Sequence, residues 1–125
     1  MIAAISHDFD HSGKVGDDDT EIRRAITCLR RNVLSEDRPY LDDIIFLIQN
    51  TKFPHDNVEN LPIEAKILRD ADVSQCLSPV WIQQVVFGLG QESGLSPIEM
   101  LRGQERFLKH LTFHTAWAKK KFGYE

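Results

Sequence analysis

Apolar residues recur at helical spacing along most of the chain, and no stretch alternates apolar with polar in the rhythm of a half-buried strand. A short apolar lead, Ile2, Ala3, Ala4 and Ile5, predicts a helix end from Met1 to about Asp8, followed by a loop containing Gly13 and Gly16. Asp17, Asp18, Asp19 and Thr20 offer N-cap oxygens and negative charge to a second helix, whose apolar positions are Ile22, Ala25, Ile26, Leu29 and Val33. Pro39 fits the first turn of a third, with Leu41, Ile44, Ile45 and Ile48 on its apolar side. After a polar connection from Thr51 to Asn60, Pro62 starts a helix through Ile63, Ile67, Leu68 and Ala71. Pro79 starts another through Trp81, Ile82, Val85, Val86 and Leu89, weakened at its end by Gly88, Gly90 and Gly94. Ser96 and Pro97 read as the N-cap and first position of a last helix running to about Phe122, with Leu101, Leu108, Leu111, Ala118 and Phe122 on one face. The expectation is an all-α fold, a compact helical bundle forming a single domain over residues 1–125.

Composition narrows the function classes without choosing one. A chain of 125 residues is long enough for one core that buries roughly two thirds of the surface exposed on unfolding. The 42% hydrophobic and 27% charged shares are those of an ordinary globular protein, neither disordered nor membrane-embedded. Net charge is −4 and the basic residues are scattered, apart from Lys119 to Lys121, so neither nucleic acid nor an anionic membrane is the expected partner. No segment approaches the ~20 apolar residues that span a bilayer, and the opening lacks the pattern of a signal peptide, so a cytoplasmic location is expected. Cys28 and Cys76 show no CxxC spacing and fall within helical patterns, which predicts two reduced, buried thiols. Trp81 and Trp117 sit in apolar patterns and read as core.

The chemistry concentrates in His7-Asp8-Phe9-Asp10-His11, where five residues supply up to four metal-binding side chains. Imidazole and carboxylate together suit Fe, Mn, Co, Zn or Mg, which predicts a divalent metal ion of open identity. On a helix His7 and His11 would share a face, and Asp8 would lie three residues before His11. So local a group cannot complete a site, and Asp70-Ala71-Asp72 offers a distant carboxylate. At ~100° per residue Asp72 falls between Leu61, Leu68 and Ala65 in the apolar arc, whereas Asp70 falls beside Lys66 outside it. A carboxylate directed inward needs a partner, either a metal or an arginine such as Arg69.

HDFDHSG at 7–13, followed by DADVS at 70–74, resembles the HD-domain metal-dependent phosphohydrolase superfamily, nearest in motif to its cyclic-nucleotide phosphodiesterase branch or a small relative of it. The likeness covers roughly residues 1–80, and the later helices match only in being helical. It implies an HD-type helical domain in which His7 and Asp8 are the metal-binding doublet and Asp72 is the final aspartate ligand. It implies further that His11 lines the site and that Asp70 stands behind the ligands at most. Residues 43–51 look like the family's helix that ends in a threonine near the metal pocket, here Thr51, with His55 reaching the substrate or a second metal. The family takes its first metal-binding histidine from a helix upstream of the doublet, and none of the six residues before His7 is a histidine. The resemblance therefore implies an N-terminally shortened form, a replacement ligand, or an incomplete site. His110 and His114, four apart on the expected last helix, are candidates for replacement, and His114 also fits an ordinary histidine at the core boundary.

On this reading the chain hydrolyses a phosphate mono- or diester of a phosphorylated small molecule, such as a nucleotide, with metal-activated water. The catalytic candidates are Asp8, His11 and His55, the histidines moving a proton to the leaving oxygen. Lys14, Lys52 and Thr51 are the candidates for binding substrate, the lysines by neutralising phosphate oxygens. The alternative is a catalytically impaired HD-like domain that binds a nucleotide or a protein, and a plain helical scaffold is a third reading. Apolar faces left uncovered by a missing N-terminal element would favour a homodimer.

Overall fold

Prolines and polar caps mark where the helices begin, and every regular element found among the described residues is helical. The structure is a computed structural model that describes residues 1–12, 17–57 and 59–123. Lys14 and the glycines at 13 and 16 lie outside them. Among the described residues no helix is long and apolar enough to cross a membrane. The chain separates into two units, one of residues 1–12 and 17–53, the other of residues 54–123.

The first unit contains α1 (Ile2–Ser6), α2 (Asp18–Asn32) and α3 (Leu41–Gln49), with a 3-10 turn over Arg38–Tyr40 leading into α3. Pro39 opens that turn, where its missing N–H costs nothing. Helix α3 packs against both others and buries Ile44, Ile45 and Ile48, the side expected from the pattern. Ala3 of α1 and Ala25 and Leu29 of α2 are buried with them. The acids that open α2 do more than complement its dipole. Asp18 accepts the Phe53 N–H at 2.8 Å and Asp19 lies 2.7 Å from Lys52 Nζ, tying the start of α2 to the chain that leaves α3. Cys28 in this unit and Cys76 in the other are both free and half-buried.

The second unit begins with α4 (Ile63–Ser74), with Pro62 at its N-cap, and continues through a 3-10 turn over Gln75–Leu77. A π-helical stretch, Ile82–Leu89, runs into the short α5 (Gly90–Ser93). Gly90 is buried against the following helix, where a Cβ would stand 2.9 Å from Met100 Cγ. Gly94, at φ +68°, ends α5 in the left-handed conformation that favours glycine. Ser96 then opens α6 (Pro97–Lys109) with a full capping box: its hydroxyl accepts the Glu99 N–H, and the Glu99 carboxylate accepts the Ser96 N–H at 2.8 Å. Leu61, Ala65, Leu68, Val73, Val86, Met100 and Ala118 form the core of this unit.

Three features differ from the sequence pattern. The expected long last helix is broken: α6 stops at Lys109 and a separate α7 covers Ala116–Phe122. The cause is polar. Thr115 accepts the Ala118 N–H at 3.1 Å as the N-cap of α7, and Asp70 accepts the N–H groups of His114 and Thr115 at 2.7 and 2.8 Å. In one continuous helix those two N–H groups would have pointed to the carbonyls four residues earlier. Second, α6 turns Met100 inward and leaves Leu101 and Leu108 exposed. Third, Asp70 is the more deeply placed of the two aspartates, 6% exposed, and Asp72 is half-buried. The helical arc placed Asp72 inward because it considered α4 alone; the backbone at 114–115 closes over Asp70 from outside that helix.

Asp70 uses both oxygens on backbone donors, so Asp70→Asn leaves one N–H facing an amide group that cannot accept it. A loss of about 1–3 kcal/mol is expected. Urea unfolding of the two proteins side by side measures it.

Two candidate sites, one in each unit

The His-Asp run lies on turns. Helix α1 ends at Ser6, and the Phe9 N–H reaches the Ser6 carbonyl at 3.1 Å while the His11 N–H reaches that of Asp8 at 3.3 Å. Asp10 takes a left-handed backbone, φ +57°, which Asp tolerates better than most residues. The run is therefore not a regular helix on which His7 and His11 would share a face. His7 instead meets its neighbour: its Nε2 stands 3.1 Å from Asp8 Oδ2, and its Nδ1 lies 2.9 Å from the Ala4 carbonyl oxygen. A carbonyl oxygen can only accept, so Nδ1 carries the proton of that bond. Nε2 and a carboxylate oxygen then face one another as two electron-pair donors, which is favourable only with a cation, a proton or a metal, between them. The His7 hydrogen bond holds the Asp8 carboxyl below the usual carboxylate range against the opposing effect of burial, with smaller help from the charges of His7 and His11.

The surroundings of this doublet are already engaged. Asp10 takes Arg24 twice, through its carbonyl to Nε at 2.7 Å and its carboxylate at 3.2 Å. Glu21 accepts from the Ser12 backbone and hydroxyl, which keeps the Glu21 carboxyl low. Lys52 is held by Asp19, whose carboxylate raises the lysine's pKa. Thr51 is buried and donates its hydroxyl to the Ile48 carbonyl at 2.8 Å. His11 is exposed. Of the residues expected to form one site, His7, Asp8, His11, Thr51 and Lys52 belong to the first unit, and His55 and Asp72 to the second.

The second unit holds a pair of histidines that the pattern did not join. His55 Nδ1 and His114 Nε2 are 3.1 Å apart, with ring centroids at 5.1 Å and planes tilted by 55°. His110 is not their companion: it is exposed and turns its Nδ1 to the Arg106 carbonyl at 2.8 Å. Beside the pair lies Arg69, 2% exposed, donating to the Asp56 carbonyl at 2.9 Å and to its carboxylate at 2.7 Å. Arg69 thus serves Asp56, and the Asp56 carboxyl is held low by it. Burial pushes the His55 pKa down to about 4, helped by the positive charge of Arg69 and by His114, and only partly opposed by Asp72 and Asp70. His114 is lowered as well, first by burial and then by Arg69. Both rings are neutral at pH 7, one donating its proton to the other. The sequence signal for this pair was weak because 59 residues separate its members.

Among the described residues no group of three or more His, Cys, Asp or Glu side chains is arranged to hold a metal ion. The chain matches no protein-family model, no curated protein sequence and no solved structure.

The depressed His55 pKa has a consequence for stability. The unfolded ring takes its proton near 6.5 and the folded ring near 4, so the contribution is whole above about pH 6.5 and is lost as pH falls to about 4. At ~1.4 kcal/mol per unit the loss is about 3–4 kcal/mol. His55→Gln should flatten most of this slope in denaturant titrations between pH 7.5 and 4, a window above the one in which the lowered carboxylates Asp8 and Asp56 lose theirs.

Proposed function

We propose that the chain is a metal-dependent phosphohydrolase of the HD type, acting on a phosphate ester of a small molecule. The observation that carries the reading is the His7–Asp8 doublet. Its two donor atoms, 3.1 Å apart, have the separation of neighbouring ligands on an ion held at ~2.0–2.2 Å, and the Ala4 carbonyl fixes the ring so that Nε2 faces the carboxylate. Such a hydrogen bond to the second ring nitrogen is what a metal-binding histidine requires to stay oriented. A divalent cation supplies, when bound, an acidified water and positive charge against the phosphoryl oxygens.

The roles of the other candidates follow from their partners. His55, with its pKa pushed down to about 4, is a neutral ring at neutral pH and carries no imidazolium proton for a leaving oxygen, so the role passes to exposed His11. Lys52 would have to give up Asp19 to reach a phosphate, so substrate charge falls to the metal first. A second reading, an HD-like domain that binds a phosphorylated ligand without cleaving it, draws support from the lack of a three-donor group among the described residues.

Elemental analysis of the protein reconstituted with Mn, Fe, Co or Zn, together with hydrolysis of p-nitrophenyl phosphate and its bis-ester, separates the two. The phosphohydrolase reading expects bound metal that weakens by more than about 100-fold in His7→Ala and Asp8→Ala, with turnover lost in parallel. Metal-free protein that gains thermal stability from phosphate ligands without cleaving them would establish the binding reading instead.

A further inference from the structure

Helix α4 turns one row of apolar side chains away from its own core. Ile63, Ile67 and Ala71, spaced by four, share a face, and the two isoleucines are 56% and 54% exposed. Helix α7 presents Trp117 to the same space, 65% exposed, with Phe122 edge-on to it at 5.9 Å between ring centroids. The groove between them has a volume of about 680 Å³. Trp117 was expected in the core, and it forms the outer wall of this groove instead.

We propose that the groove binds a single-chain amphiphile with an anionic head, a free fatty acid of medium to long chain. The size of the groove suits a small molecule. The volume lies within the ~300–1,000 Å³ of small-molecule sites. A stable protein interface takes roughly 20–30 residues a side, and ten line this groove. The walls are mainly hydrocarbon and aromatic ring, with Asp70, Ser74 and Thr115 the polar exceptions, which selects an apolar body. Ile63 to Ala71 spans ~12 Å of helix, room for a laurate-sized tail.

The head group follows from charge. Lys121 Nζ lies 4.8 Å from the Trp117 ring centroid and 5.4 Å from that of Phe122, against the aromatic wall. Lys119 and Lys120 are exposed on the same helix. None of the three forms an ion pair among the described residues. The acid lining the groove, Asp70, is 6% exposed and turns one oxygen to each of two backbone N–H groups, which partly offsets its charge toward a ligand. A tail along α4 with its carboxylate at Lys121 satisfies both features. The proposal concerns the second unit alone and stands whether or not the chain binds metal.

Calorimetric titration of the full chain with laurate, and separately with dodecyltrimethylammonium, both below their micelle concentrations, tests it. The two probes share a tail and differ in head charge, and the protein's net charge of −4 favours the wrong one. Saturable one-to-one binding of laurate is expected, at least about tenfold tighter than the cation, weakened about tenfold in Lys121→Glu and abolished in Ile67→Glu. Ile67 is exposed, so circular dichroism should show the variant folded. The proposal is overturned by the absence of saturable laurate binding, by equal affinity for the cation, or by wild-type affinity in folded Ile67→Glu; an unchanged Lys121→Glu would overturn the placement of the head.

Discussion

One carboxylate organises the second unit. Asp70 sits near the end of α4, and the two N–H groups it accepts belong to the residues that start α7. That contact ends the helical run after α6, sets the direction of α7, and places Trp117 and Phe122 beside the outer face of α4. It also brings His114 to His55, because the residue that gives its N–H to Asp70 is the one whose ring reaches the loop histidine. A buried carboxylate accepting two strong hydrogen bonds costs little of the desolvation that an unpaired one would. The same two bonds serve N–H groups that would otherwise be left open at a helix start.

The chain puts two histidines in opposite electrostatic settings. His7 faces the Asp8 carboxylate with Nε2, beside which positive charge is favoured. His55 lies in a half-buried place near Arg69, where a positive charge is disfavoured and the neutral ring shares a proton with His114. Arg69 supplies its repulsion without being lost to solvent because Asp56 holds its guanidinium in two places. One histidine is suited to collecting positive charge and the other to refusing it. These environments, rather than residue type, separate the two rings.

The parts of the fold that a single helix decides were legible. Ile44, Ile45 and Ile48 face the core as their spacing required, Pro39 opens a helical turn, and Ser96 caps α6. What depended on a second element was not. The break before α7, the depth of Asp70 and the exposure of Trp117 all follow from one contact between residues 44 and 45 positions apart, which periodicity along one helix cannot register. The first helix was expected to reach about Asp8 and ends at Ser6, and Asp10 then turns left-handed, which no apolar spacing announces. The acids at the start of α2 were read as helix-end charge, and their bonds to Lys52 and Phe53 again needed a partner more than thirty residues away.

The early end of α1 matters for the doublet. Adjacent side chains on a helix project about 100° apart and do not face each other. His7 and Asp8 meet because regular helix has already stopped at Ser6, whose own hydroxyl turns back to the Ile2 carbonyl at 2.8 Å. The last helical carbonyls are then free for other donors, and the one at Ala4 takes the His7 ring. A terminus that would otherwise hold unsatisfied carbonyl oxygens thus orients the imidazole, and the turn that follows brings the neighbouring carboxylate to its other nitrogen. The geometry of the doublet is a product of where the helix ends, so its chemistry depends as much on the short apolar lead before it as on the two residues themselves.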